Sequence, residues 1–86
     1  MRFTKERERM PMIDMERTGA NILKLRKDAG LSVHDLQKVF GFHSPQAIYK
    51  WQNGITLPTV DNLIVLAKLL NVRIDDILVT TDPSEK

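Results

Sequence analysis

The sequence predicts an all-α domain, a compact bundle of five short helices, and three observations carry that prediction. Helix cap and stop residues alternate between Thr18 and Asn71 at intervals of one helix length. Apolar residues between those signals recur with the spacing of a buried helical stripe, most clearly at Leu63, Leu66, Ala67 and Leu70. The 86 residues contain no cysteine, so packing alone must hold a domain whose helices are joined by connections of roughly two to six residues.

Thr18 is the expected cap of a first helix over residues 19–28, with Ile22, Leu25 and Ala29 on its inner stripe, Lys24 and Lys27 exposed, and Arg26 either exposed or paired internally with an acidic residue. Gly30 ends it. Ser32 and Asp35 are spaced as a capping box for a second helix reaching Phe40, with Leu36, Val39 and Phe40 facing inward and Gly41 as the stop. A third helix starts with Ser44 as N-cap and Pro45 at the first helical position, where a missing N–H costs no internal hydrogen bond. It runs to Gln52 or Asn53, anchors Ile48 and Trp51 in the core, and releases the chain at Gly54.

Thr59 caps a fourth helix through Leu70, buttressed by Val60 and ended by Asn71. Strand formers in LIVLAKLL compete with this assignment, but the helical period and the length of the run favour helix. Ile74, Ile77, Leu78 and Val79 then close the domain as a short fifth helix or turn. The predicted core is Ile22, Leu25, Leu36, Phe40, Ile48, Trp51, Leu63, Leu66 and Leu70.

The chain divides into a flexible N-terminal tail over residues 1–11, a folded domain over 12–79 and a flexible C-terminal tail over 80–86. MRFTKERER alternates charge with little to bury, and TTDPSEK is a polar end. Between tail and first helix, Met10, Met12, Ile13 and Met15 suit either an extended arm packed on its own domain or a disordered lead-in.

Net charge is only +2, from 13 Lys and Arg against 11 Asp and Glu. That total hides a gradient. Residues 18–54 carry five basic and two acidic groups, whereas residues 55–86 carry three and five, so positive charge gathers on one part of the fold. No apolar run approaches the roughly 20 residues of a membrane span, and the charged N-terminus lacks a signal-peptide core, so a cytoplasmic protein is expected. His34 and His43 stand nine positions apart without a cysteine, which leaves no metal ligand set, and no cofactor is expected. Neither Ser32 nor Ser44 has the glycine-rich elbow or partner histidine of a hydrolase, so the chain is expected not to be an enzyme.

Residues 32–53 form two short helices joined by a tight turn. Taken with their neighbours, the stretches NILKLRKDAGLS, DLQKVFGF, QAIYKWQNG, LPTVDNLIVLAKLLNV and IDDILV resemble successive elements of the lambda-repressor-like, Cro/C1-type helix-turn-helix family. The resemblance runs from about Thr18 to Val79, and it rests on the order and spacing of all five stretches. It implies a compact five-helix lambda-repressor-like domain whose third helix, beginning at Pro45, lies in the major groove of double-stranded DNA.

Family positions that read bases or touch backbone fall on Ser44, Pro45, Gln46, Ala47, Tyr49, Lys50 and Asn53. Gln46 can donate and accept together, matching adenine N6 and N7, and is the foremost base reader. Lys50 suits guanine acceptors or a phosphate, while Tyr49 suits sugar stacking or a backbone hydrogen bond. Pro45 and Ala47 offer apolar edges. Ser44 is either a cap alone or a phosphate ligand, Asn53 either a turn residue or a phosphate ligand, and His43 either a phosphate contact or a solvated turn residue. Ser32 offers a second helix N-terminus to an anion.

The chain departs from the family pattern at several places. Val33 replaces a polar phosphate clamp, Gln37 replaces a small alanine, Ile55 replaces a basic residue, and the turn Gly41-Phe42-His43-Ser44 is one residue longer than usual. The longer turn and Gln37 are expected to belong together, the extra length making room for the larger side chain. A reader of this size gains affinity by acting as a homodimer on a two-fold symmetric operator, with repression the expected outcome. The rival expectation is an antitoxin-like or accessory protein-interaction module with secondary DNA binding, which Val33, Pro45 and Ile55 favour.

Overall fold

The computed structural model describes residues 10–81; of the tails predicted at 1–11 and 80–86, residues 1–9 and 82–86 lie outside the described residues. Helices α1 (Met15–Asp28), α2 (Val33–Phe40), α3 (Gln46–Gln52), α4 (Val60–Leu70) and α5 (Ile74–Ile77) are bracketed by two short strands, β1 (Met12–Ile13) and β2 (Thr80–Thr81). The expected five-helix, lambda-repressor-like architecture is present. Ile22, Leu36, Ile48, Trp51, Leu63, Leu66, Ala67, Leu70 and Ile77 form the buried core, with Leu25 and Phe40 packed against it as half-buried members.

The cap signals of α2 and α4 act as the sequence predicts. Ser32 accepts from the Asp35 amide while the Asp35 carboxylate accepts from the Ser32 amide, closing a capping box. Thr59 accepts from the Asn62 amide, and Gly41 and Asn71 end their helices in the left-handed conformation.

At α1 the sequence prediction needs correction. Asp14, not Thr18, is the cap, its carboxylate accepting from the Arg17 amide, and the helix starts at Met15. Thr18 is fully buried inside the helix. Its hydroxyl accepts from the Val79 amide at 2.9 Å and donates to the Val79 carbonyl at 3.2 Å, replacing a strand partner for that residue. The Asp14 amide donates to the same carbonyl, and Met12–Ile13 pairs antiparallel with Thr80–Thr81. Main-chain bonds therefore hold the N-terminal arm, because Met12 and Ile13 keep their side chains exposed. Thr80 and Thr81, assigned by sequence to the C-terminal tail, are part of this ribbon.

Other side chains also differ from the helical-stripe expectation. Arg26, expected either exposed or paired internally, is buried, while Val39 and Val60, expected to pack inward or buttress a helix, are exposed. Ala29 is exposed at the end of α1. Short helices leave only one or two turns of contact, so a position a third of a turn off the stripe reaches solvent.

Two glycines set the distance between α1 and α3. A Cβ on Gly19 would lie 2.5 Å from the Trp51 carbonyl oxygen and 2.6 Å from that of Gln52. Gly54 faces Met15 and Glu16 from the other side and adopts a positive φ of 73°. The end of α3 is thereby seated backbone to backbone on α1.

Candidate nucleic-acid interface

An ideal helix advances about 100° per residue. Placing Gln46 at the origin of α3, Tyr49, Lys50 and Asn53 fall with it inside an arc of about 100°, and Ile48 and Trp51 centre on the opposite side. Observed burial follows that wheel. Gln46, Tyr49, Lys50 and Asn53 are exposed, whereas Ile48 and Trp51 are buried. Ala47 and Gln52 flank the boundary and are half-buried.

The start of this helix is displaced by one residue from expectation. Gln46 is its first residue, and Pro45 occupies the cap position with φ −83° and ψ 6°. Near-helical angles let the Pro45 carbonyl accept from the Tyr49 amide at 3.1 Å, so the ring precedes the helix without interrupting it. Ser44 still serves the terminus, its hydroxyl accepting from the Gln46 amide at 3.4 Å. Ser44 and His43 are exposed beside this end, and Pro45 is half-buried.

Ser32 sits at the N-terminus of α2, where its hydroxyl and amide are both engaged with Asp35. The Ser32 amide first, and its hydroxyl second, hold the Asp35 carboxyl below the usual carboxylate range. A phosphate approaching Ser32 would meet that carboxylate.

The inter-helix turn is packed from within. Phe42 stacks on Phe40 with centroids 5.4 Å apart and meets Trp51 edge-on at 5.9 Å; Phe40 also meets Trp51 edge-on at 5.4 Å. Three rings thus join α2, the turn and α3, a geometry favoured by their quadrupoles. The half-buried Gln37 donates from Nε2 to the Phe42 carbonyl at 3.3 Å. The larger side chain on α2 and the extended turn are consequently in direct contact, as their proximity in sequence suggests.

Sequence reasoning missed two supports of this surface. Phe42 was legible as an apolar residue in a polar turn. Gly19 stood inside a run of helical residues, a signal of close backbone approach. Arg26 takes the internal of its two expected places, with neutral partners where an acidic one was expected: its Nε donates to Gln52 Oε1 at 2.8 Å and one terminal nitrogen donates to the Leu31 carbonyl at 2.7 Å, tying α3 to the loop after α1. Among the basic residues left near the surface, Lys27, Lys38 and Lys50 are exposed, and Lys24 pairs with Asp28 at 2.8 Å. Such an exposed pair contributes little to stability.

No helix among the described residues is long and apolar enough to cross a membrane. No curated protein and no solved structure matches the chain. A family model described as helix-turn-helix matches residues 22–77, well over half of the chain and all of α2 to α5. With α2 and α3 packed together through Leu36, Ile48 and Trp51 and a polar face of α3 exposed, the chain belongs to the XRE-like helix-turn-helix family of DNA-binding regulatory domains.

Proposed function

We propose that the chain is a sequence-specific double-stranded DNA-binding repressor that lays α3 in the major groove. The observation that carries this reading is the α3 wheel: Gln46, Tyr49, Lys50 and Asn53 share one exposed arc, which the core does not use. Gln46 reads adenine through its amide, and Lys50, one turn on, supplies a cation to guanine or phosphate. Ser44, His43, Tyr49 and Asn53 position the backbone. Pro45 and Ala47, both half-buried, contribute apolar edges from the margin. This reading assigns the protein no catalytic role and places it in the cytoplasm.

One recognition helix covers a single half-site, so the reading includes a homodimer on a two-fold symmetric operator with half-sites about one helical turn apart. Selection from a random double-stranded DNA pool tests it. An enriched motif should appear and should lose an adenine preference in Gln46→Ala, by about 1 to 3 kcal/mol at that position. Lys50→Ala should weaken all sequences alike and lower the salt slope by about one if Lys50 holds phosphate, or change the motif if it reads a base. Failure to enrich any motif at low salt would overturn the reading.

Exposed Ile55, Val60 and Ile64 favour a second reading, an antitoxin-like or accessory module whose main partner is a protein. Absence of DNA enrichment together with a stable heteromeric complex would select it.

A further inference from the structure

The inference concerns Arg26 and rests on the DNA-binding reading of α3. The residue as a whole is about nine-tenths buried, yet both partners of its guanidinium are neutral: the Gln52 side-chain oxygen and the Leu31 carbonyl. Ion pairs among the described residues are Arg17 with Asp14 and Lys24 with Asp28; Arg26 is in neither. A buried charge ordinarily recruits a carboxylate, because hydrogen bonds to neutral groups replace hydration only in part. Here an amide stands where a glutamate side chain of almost the same shape would fit.

No buried side-chain nitrogen or oxygen among the described residues lacks a partner. The second terminal nitrogen of Arg26, which makes no bond among the described residues, accordingly keeps some contact with solvent. Its charge is held against Gln52 at the last turn of α3, the residue before the exposed Asn53.

We propose that the pairing of Arg26 with the neutral Gln52 makes Arg26 a positioning residue for α3 that also keeps an uncompensated positive charge beneath the DNA-binding face. The hydrogen bond orients the end of the helix, and the unneutralised guanidinium draws the phosphate backbone closer without touching it. A carboxylate at position 52 would preserve the first role and abolish the second.

Two variants remove the same unit of charge by different chemistry. Gln52→Glu neutralises the guanidinium in place; Arg26→Met with Gln52→Leu replaces the pair by apolar groups of similar length, a change buried ionic clusters tolerate. Binding of each to the motif enriched from the random DNA pool is measured at low and high salt, beside thermal melting. Both should bind about 3- to 10-fold more weakly than wild type at low salt, with a deficit that shrinks as salt rises and the motif unchanged; the double variant should show in addition a loss that salt does not remove, because it also lacks the bond that orients α3. Gln52→Glu should melt no lower than wild type, since its bond to Arg26 becomes charge-assisted.

Wild-type affinity in either variant at low salt, a deficit in only one of them, an altered motif, or a lower melting temperature of Gln52→Glu would overturn the inference while leaving the DNA reading intact. A wild-type protein that enriches no motif overturns both.

Discussion

Gly19 carries a prediction whose sign opposes ordinary helix propensity. It lies in the fifth turn-forming position of a 14-residue helix, where replacing glycine by alanine normally stabilises by about 1 kcal/mol. Here the added methyl would stand 2.5 Å from the Trp51 oxygen, 2.6 Å from the Gln52 oxygen and 2.8 Å from the Gly54 nitrogen. All three atoms are backbone, so no side-chain rotation relieves the contact. Even a minimal separation requires α1 and the end of α3 to part by roughly half an ångström or more, which forfeits a quarter to a half of the local dispersion energy.

Overpacking of this kind costs about 1 to 3 kcal/mol, occasionally more. Against the propensity gain, Gly19→Ala should destabilise by up to about 2 kcal/mol, or up to roughly 16 °C in melting temperature for a domain of this size. Circular dichroism melts and urea titrations measure it. Ala20→Gly, at the exposed neighbouring position, is the control and should destabilise by about 1 kcal/mol through propensity alone. A Gly19→Ala protein more stable than wild type would refute the close-crossing argument. Because the crossing orients α3, its DNA affinity should also fall at temperatures where the variant is fully folded.

Three further outcomes follow from other contacts. Thr18→Val keeps the shape but removes the hydroxyl from Val79, so it should cost about 1 to 3 kcal/mol and speed hydrogen exchange at the Val79 amide; unchanged exchange would reject the role. Phe42→Ala removes one ring of the aromatic trio and should cost about 1 to 3 kcal/mol in a denaturant titration, less than a fully buried phenylalanine because Phe42 is half-buried. The Asp35 carboxyl is lowered by the Ser32 amide and hydroxyl, so its contribution is complete above the ordinary carboxylate range and is lost as pH falls through the depressed value. Melting curves of wild type and Asp35→Asn should converge as pH is taken from 6 toward 2; a gap independent of pH would contradict the capping assignment.

How much was legible follows the range of the interactions. The stops at Gly41, Gly54 and Asn71 and the caps at Ser32 and Thr59 are local, each closed within a few residues. Their chemistry could be read directly. Thr18 misled because the same hydroxyl that caps a helix can also satisfy a strand, and its partner Val79 is 61 positions away. Arg26 was open between solvent and an internal acidic partner for a related reason: the oxygens it turns to, on Gln52 and Leu31, belong to elements it meets only after folding.

The sequence by itself determined the helix order, the buried centre of each apolar stripe and the polar set Gln46, Tyr49, Lys50 and Asn53, since periodicity and capping are properties of neighbouring residues. Tertiary structure alone decided how α3 is held, through the Gly19 crossing, the Phe40, Phe42 and Trp51 trio and the Arg26 bond, and it alone made the ribbon that pairs Met12–Ile13 with Thr80–Thr81. Those contacts join residues far apart in the chain, and their distances exist only once the core has closed.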